Sequence, residues 1–523
     1  MKPHARIRAV ALGGTIAIVV ASGCSNNNGN NDMEPDGGMG SNYGGDGGGS
    51  DSSVPPMPTE FTVTLVPDGA SGVQRVNFAV PLAQGALGDD AAIKVTAGSF
   101  DLPAARKGLA KYADGSWRSV QIQVDVDVTA NQSLTIALGT AGATGPSLDA
   151  VSTTLTGSGN NVHPKVWALL PSEVLTASGV AGLLIPQADV ANTALDAWSS
   201  ICDYATWDTD KFLVNSAASR DVWLYDRVTA MYRGYAITGD LVPLRSAYRE
   251  AEIYRAGMVI SNGVATNIAV PDAQTDLKYY YAQNMALHYL LTGDERYREA
   301  AEAVSAKIAT MWNPNYDGGD RFWTERHAGF ALLAHEWALM VTDDQATTIS
   351  ARAEANVTAY LADQSTYPVG YSDPNARCFA HSATAHAEDY GYNGCSPWMS
   401  AILADALDQY ARRVGGTREA QVRDSLAKLG RILARDGRDA TGKPFYWMGV
   451  GTTSDEIDDY DEHWGESAYV VALAYAATGK TEPALKQAAD QLIAGLAANG
   501  VVGQTRSFNW QCRSAVMTPA LLK

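Results

Sequence analysis

Three stretches of this chain read alike: Tyr235-Ala-Ile-Thr-Gly-Asp240, Tyr289-Leu-Leu-Thr-Gly-Asp294 and Tyr475-Ala-Ala-Thr-Gly-Lys480. Val341-Thr-Asp-Asp344 and Val414-Gly-Gly-Thr417 are looser copies. Each stretch ends an amphipathic helical segment. Each leads into a second, Ala-rich helix, such as Arg296-Tyr-Arg-Glu-Ala-Ala-Glu-Ala303. A motif that recurs in this way is an internal repeat, and the repeating unit is a helical hairpin. Helix starts are expected near Ser219, Gln274, Glu325, Ser396 and His463, and Ser396-Pro397 supplies proline for a first helical position. Ahead of each start runs a long loop rich in aromatic and charged residues. If the tight turns share one end of the hairpins, the long loops share the other. Binding residues tend to sit on loops held by a rigid scaffold, so the loop end is where function is sought.

Upstream the period changes. Phe61–Val66, Arg75–Val80, Ala92–Ala97, Val120–Val126 and Ser133–Leu138 alternate apolar with polar residues and are separated by Gly, Pro, Asp and Asn clusters. Such a pattern is a half-buried antiparallel β-sandwich. The expected organisation is a multidomain β + α chain. A β-sandwich over 59–155 is followed by a linking region over 156–202 and an (α/α) toroid of about five or six hairpins over 203–523. An open superhelix of short regular repeats is the competing architecture. It predicts short loops everywhere, which this sequence does not have.

The ends and the composition bound the setting. Lys2, His4, Arg6 and Arg8 precede an apolar stretch from Ala9 to Val20, so residues 1–23 read as a secretory signal. It closes on Ala21-Ser-Gly-Cys24, similar to a bacterial lipobox, with Cys24 as the lipidated residue. Residues 24–58 are Asn, Gly, Asp, Ser and finally Pro, a composition that cannot bury a core and reads as a tether. An exported bacterial lipoprotein at the outer membrane, cell surface or periplasm is expected, touching the membrane only through its lipid. Four further cysteines, Cys202, Cys378, Cys395 and Cys512, form an even set in an exported chain and allow three disulfide pairings. The favoured one joins Cys378 to Cys395 across one long loop and Cys202 to Cys512 from first hairpin to tail. A net charge of −18 speaks against nucleic acid as partner. Oligomeric state is not written in the sequence.

A β-sandwich-like domain joined to an (α/α) toroid resembles many bacterial polysaccharide lyases and some glycoside hydrolases. Val73-Gln-Arg-Val-Asn-Phe-Ala-Val-Pro-Leu-Ala-Gln-Gly85, with Leu102-Pro103 and Ala113-Asp-Gly-Ser-Trp-Arg118, is similar to the N-terminal β domain of exo-rhamnogalacturonan lyase-like proteins. The resemblance implies a polysaccharide lyase that cleaves an acidic, uronate-containing glycan by β-elimination. A glycoside hydrolase on the same scaffold and a non-catalytic glycan-binding lipoprotein are the alternatives.

The residues themselves suggest where such chemistry would lie. Helix N-termini gathered at one mouth favour anions. Aromatic side chains crowd the same loops, and sugar rings stack on them: Tyr280, Trp323, Tyr392, Trp398, Trp447 and Trp464 are candidate binding residues, with Asn284 and His463. β-Elimination needs a neutraliser for the uronate carboxylate, a base for the C5 proton and an acid for the leaving oxygen. Arg321 and Arg326 are the candidate neutralisers; His327, His381 and His386 the candidate bases; Tyr390 the candidate acid, with Tyr392 beside it. His288 and His335, inside helices, read as core. A hydrolase would need two carboxylates across the bond, for which Glu388 or Asp389 with Asp461 or Glu462 are available. His381 and His386 have no standard metal-ligand spacing, and no cofactor or metal is expected.

Overall fold

The computed structural model describes residues 56–523, apart from 90–91, 213–218, 314–323, 382–392, 451–455 and 458–460. The β part holds β1 (Glu60–Pro67), β2 (Val73–Pro81), β3 (Ile93–Ala97), β4 (Phe100–Asp101), β5 (Ala104–Gly108), β6 (Ser119–Asp127) and β7 (Ser133–Leu138). Beyond them come β8 (Leu155–Thr156), β9 (His163–Pro164) and β10 (Val166–Leu169). One sheet runs β10-β1-β7-β3-β4 and the other β2-β6-β5, all antiparallel. The two-residue alternation does what it predicts on the core side. Phe61, Val63 and Leu65 of β1 bury with Leu134, Ile136 and Leu138 of β7 and Val120, Ile122, Val124 and Val126 of β6.

The 156–202 stretch, read from the sequence as a linking region, supplies part of both bodies. β10 pairs on the edge of β1, with Thr64 opposite Leu169. After it come α1 (Ser172–Ala177), α2 (Ala197–Ile201), α3 (Thr209–Phe212) and α4 (Arg220–Trp223).

Five hairpins follow. They are α5 (Arg227–Thr238) with α6 (Leu241–Ala256), α7 (Gln283–Thr292) with α8 (Glu295–Met311), α9 (Glu325–Val341) with α10 (Ala346–Thr366), α11 (Ser400–Val414) with α12 (Gly416–Asp436), and α13 (Trp464–Ala477) with α14 (Pro483–Asn499). The first helix of each hairpin lies inside and touches its neighbours in the order α5, α7, α9, α11, α13. A sixth inner helix, α15 (Thr505–Arg513), packs on both α13 and α5 and closes the ring, with α16 (Thr518–Leu522) behind it. The fold is therefore a β-sandwich followed by an (α/α) toroid, not an open superhelix. Among the described residues no helix is long and apolar enough to cross a membrane.

Ring closure has identifiable causes. Cys512 of α15 is disulfide-bonded to Cys202 after α2, with Cα atoms 5.7 Å apart. Asn509 Nδ2 donates to the carbonyls of Val222 and Leu224 at 2.8 and 2.7 Å, tying α15 to the end of α4. At the ring axis Arg233 of α5 and Arg513 of α15 both contact one oxygen of Asp405 from α11, at 3.3 and 3.1 Å. All three side chains are buried. The second disulfide, Cys378–Cys395, with Cα atoms 6.3 Å apart, staples the loop ahead of α11.

The repeated turns explain themselves in the structure. Gly239, Gly293 and Gly479 have φ of 72°, 76° and 65°, the left-handed conformation that ends a helix and that only glycine adopts at little cost. At two of the turns the β domain is seated. Ser119 Oγ donates to Leu290 O at 2.6 Å, Asn77 Nδ2 to Thr292 O at 2.9 Å, and Tyr289 Oη to Leu109 O at 3.1 Å. Leu170 N donates to Tyr235 Oη at 2.8 Å. This contact also accounts for Gln121 and Gln123 of β6. They occupy the polar positions of the alternation, yet both are buried, bonded to Asn77 at 2.7 and 3.1 Å in a network covered by α7.

Two helix starts differ from expectation. The chain from Gln274 to Ala282 forms 3₁₀ turns, and α7 begins only at Gln283. Gln274 is itself committed to closing that loop: its side chain bonds Ile268 and Val270. Near Ser396 the chain makes one turn before α11 begins at Ser400, although Ser400 N already donates to Ser396 O at 3.1 Å.

Candidate functional site

The β domain covers part of the turn end, so the mouth of the ring, at the N-termini of the inner helices, is where a site is sought. Two adjoining groups of side chains line it, and Arg326 stands between them.

The first group is built on α9 and the turn before α7. Thr324 caps α9 by accepting from His327 N at 3.3 Å, and its hydroxyl also meets His327 Nδ1. His327 Nε2 lies 3.5 Å from Asp276 Oδ1, while Lys278 Nζ bonds the other oxygen of the same carboxylate. Arg220 donates to Tyr279 Oη at 3.4 Å. Burial tends to raise the Asp276 carboxyl, but His327 and Lys278 outweigh it and hold the group well below its usual range. Burial, reinforced by Arg326, pulls the Lys278 amine down to about 8 against the pull of Asp276. Burial likewise pulls His327 down to about 4, with Asp276 opposing. His327 is thus a neutral, buried imidazole that orients Asp276.

The second group is aromatic. The Trp398 indole stacks on His463 with ring centroids 4.0 Å apart and planes 9° apart, and Trp510 stands 5.2 Å from Trp398. Tyr225 and Tyr446 sit 5.6 and 5.4 Å from the Trp398 ring. The Arg326 guanidinium lies 5.9 Å over Trp398 and reaches Tyr225 Oη at 3.5 Å; that of Arg506 lies 5.7 Å from Trp510. Burial, then Arg506 and Arg326, push His463 well below its ordinary pKa.

A donor excess marks this mouth. Trp398 Nε1, Trp510 Nε1, Arg326 Nε and Arg506 Nε are all shielded from solvent, and none has an acceptor among the described residues. Buried N–H groups without partners are rare and costly in folded proteins. Four of them cluster here.

Backbone strain adds to the picture. Tyr225 and Asp226 follow one another with φ of 73° and 56° at the floor of the mouth. Left-handed φ is costly for a tyrosine, and such outliers cluster at functional sites. Asp226 accepts from Asn284 Nδ2 at 2.8 Å and caps α5 through Thr229. Neither residue stands out in the sequence, because a strained φ has no compositional signature outside glycine. Lys278, Asp276, Arg506 and Trp510 were also not selected from sequence, since each lies at a short 3₁₀ turn or in the tail helix rather than in a repeat.

Several sequence candidates fall elsewhere. His381 is fully buried, 2.6 Å from Glu325 Oε2 and 4.3 Å from the Trp447 ring, so it is packed inside the loop base and not open to a ligand. Trp447 is buried with it. Tyr280 is 1 % exposed and spends its hydroxyl on Gln274 O at 2.7 Å. Trp464 faces the outer wall, where Gly495 of α14 makes room for its indole; a Cβ there would sit 2.1 Å from the ring. Asn284 belongs to the floor, fully buried on Asp226. Asp461 is held by Lys443 and the Trp464 indole, each at 3.1 Å, and the Glu462 carboxylate accepts from Ser507 Oγ at 2.6 Å. His288 and His335 are core residues, bonded to Tyr232 at 2.7 Å and Ser305 at 2.8 Å. Arg321, Trp323, His386, Glu388, Asp389, Tyr390, Tyr392 and Cys24 lie outside the described residues.

The described residues on either side of 382–392 are bonded to the body. His381 and Gly394 form an antiparallel bridge, Cys395 bridges Met448, and Ser396 N donates to Glu325 Oε1 at 2.7 Å. His381 and Ser396 both meet Glu325, the first residue of α9.

No protein-family profile and no curated protein matches the chain. Among solved structures, it is similar to a polysaccharide lyase at 12% identity and a TM-score of 0.44, over 61% of this chain and 96% of that one. It is also similar to a glycosyl hydrolase family 88 protein from Bacteroides vulgatus at 10% identity and a TM-score of 0.43, over 61% of this chain and 98% of that one. At such identities a likeness says nothing about chemistry.

Proposed function

We propose that this protein is a polysaccharide lyase that cleaves a uronate-containing glycan by β-elimination. The observation that carries the reading is the set of buried N–H donors around Trp398, Arg326 Nε among them, that have no acceptor among the described residues, with Lys278 and Arg220 nearby, in a chain that is otherwise strongly acidic. A sugar carboxylate offers the acceptors those donors lack, and the indole and phenol faces suit sugar C–H surfaces.

In this reading Arg326 and Lys278 bind the uronate carboxylate and offset its charge, which makes the proton on C5 more acidic. His386 takes that proton. The electrons of the C5–H bond form the C4–C5 double bond, and the C4–O bond breaks with its electron pair on oxygen. Tyr390 protonates the departing oxygen. Arg321 adds to the cationic wall. The protein works as an exported lipoprotein held through Cys24, without a metal or cofactor in the reaction.

The test is a panel of acidic polysaccharides read by ultraviolet absorbance, because the product carries a conjugated, unsaturated uronate. His386→Ala and Tyr390→Phe should each remove most turnover and leave binding nearly intact, since both act in the transition state. Product without the unsaturated uronate, with activity lost in Glu388→Gln, would make the protein a hydrolase. Tight binding without turnover would make it a glycan-binding lipoprotein.

A further inference from the structure

His463 stacks on Trp398 at the mouth, and the next residue, Trp464, turns the other way, between α12 and α14. There its indole is the floor of a second cavity of about 510 Å³, walled by the C-terminal ends of α12 and α14 and by the loop over 437–444. Sites for small molecules run from roughly 300 to 1,000 Å³, so the space is of binding size. The floor is fixed: Trp464 Nε1 donates to Asp461 Oδ1 at 3.1 Å, and Gly495 of α14 packs flat against the ring. The loop is fixed as well. Asp439, the one carboxylate among the described lining residues, spends Oδ1 on Thr441 N at 2.8 Å, Thr441 Oγ1 at 2.7 Å and Lys443 N at 3.0 Å.

One cation in this cavity differs from its neighbours. Along α12, Arg418 pairs with Glu354, Arg423 with Asp408, Lys428 with Asp424, Arg431 with Glu482 and Arg435 with Asp373. Arg438, two residues past the helix, has no carboxylate partner among the described residues. Its Nε donates to Ala434 O at 3.0 Å, capping α12, and its Nη1 to Gln491 Oε1 at 2.7 Å. Those bonds hold the guanidinium in place without neutralising it, and they leave Nη2 with no acceptor among the described residues. Burial disfavours its charge, and no neighbouring charge opposes that effect. In a chain of net charge −18, a fixed and unpaired guanidinium in a walled cavity selects an anion, and a carboxylate supplies both the charge and the acceptors it lacks. On the α14 wall, the Gln491 and Asn499 amides stand ready for hydroxyls. We infer that this cavity is a second, non-catalytic subsite for an acidic saccharide, in which Arg438 takes a uronate carboxylate and Gln491 and Asn499 take ring hydroxyls. A polymer held there stays beside the mouth without occupying it.

The inference takes from the proposed function only the class of ligand, and affinity electrophoresis separates the two sites. The gels carry polygalacturonate, alginate or hyaluronan, all uronate polymers, or neutral dextran. The full chain with Arg326→Ala, its mouth disabled, should still be retarded by at least one uronate polymer and not by dextran. Adding Arg438→Gln should weaken that retention by on the order of ten-fold, the usual loss for a charge-assisted hydrogen bond, and adding Asn499→Ala by a few-fold. Arg438→Gln removes a cap of α12 together with the charge, whereas Asn499→Ala removes neither, so the pair distinguishes lost binding from a loosened helix end. If no polymer yields an unsaturated product, the lyase reading falls, and the retention of Arg326→Ala still decides the subsite. No retention of Arg326→Ala in any uronate gel, or retention left unchanged by either added substitution, would overturn it.

Discussion

The two ends of the helical ring are built from the same six inner helices and could hardly differ more. At the turn end the connections are short, repeat one another and are closed by backbone hydrogen bonds, and two of them are covered by the β domain. At the loop end the connections are long and unlike one another, and among the described residues several indole and guanidinium donors there have no acceptor. The repeat is therefore a statement about scaffold, while departures from it are statements about function. The hairpin turn can be repeated because it has a simple physical solution, the left-handed glycine after the helix at Gly239, Gly293 and Gly479. The mouth cannot be copied, because each loop places a different group.

The sharpest way to break this contrast is to open the ring on which both ends depend. Asp405 is the shared carboxylate for Arg233 and Arg513, which come from the first and last inner helices. Asp405→Asn would leave two buried guanidiniums uncompensated, a loss of about 3–5 kcal/mol. Urea unfolding should show the midpoint falling with both ends melting together. A variant as stable as the wild type would mean that the ring is closed by the disulfide and α15 packing alone.

Next comes a change confined to the loop end. Arg326→Ala should lower turnover on a uronate substrate by about 10²–10³-fold, the usual cost of losing one charge-stabilising donor, and should raise KM as well. Its melting temperature should stay close to that of the wild type, because the side chain is only half-buried and its hydrogen bond among the described residues is the long 3.5 Å contact to Tyr225. A variant with unchanged kinetics would remove Arg326 from the site.

The matching change at the turn end should do the reverse. In Gly293→Ala the new Cβ would lie 2.3 Å from Gln121 of β6, on a backbone with φ of 76°. Clash and strain together should cost about 1–3 kcal/mol. Gly479 has φ of 65° but open space around it, so Gly479→Ala should cost only about 1 kcal/mol, the strain term alone. Neither should alter kinetics at the mouth. Equal costs at the two positions would show that the β domain does not bear on the Gly293 turn.

The contrast also explains what could be read from sequence. Tyr289-Leu-Leu-Thr-Gly-Asp294 is legible because its helix end, glycine and following cap are local. The alternation in β1, β2, β6 and β7 is legible for the same reason, although nothing local says that Gln121 and Gln123 are buried beneath α7. The pairing of Cys202 with Cys512 and of Cys378 with Cys395 followed from parity and placement. The mouth was legible only in part. Arg326, Trp398 and His463 sit at helix starts and were found; Lys278, Tyr225 and Trp510 reach the same place through tertiary folding alone. Trp447, Trp464 and Tyr280 misled because an aromatic residue near a helix start has the same sequence signature whether it faces a groove or the core.

The subtlest expected effect belongs to Lys278. Its amine titrates near 8 in the folded protein, against 10.5 for an ordinary lysine, because burial and Arg326 disfavour the charged form. The sign for stability follows directly. Below pH 8 the amine is protonated in both states; between about 8 and 10.5 the unfolded chain holds the proton and the folded chain has released it. Stability contributed by this group therefore rises with pH across that window. Binding should move the other way. As pH rises through 8 the mouth loses one of the cations facing the uronate, so affinity for an acidic oligosaccharide should weaken by a few-fold while the fold grows no less stable. Lys278→Arg should carry the affinity through to higher pH, since guanidinium does not titrate there. Calorimetric titration from pH 7 to 9 would decide it: a flat wild-type profile, or a fall that the arginine variant shares, would place Lys278 outside the anion-binding wall and leave Arg326 to hold the carboxylate.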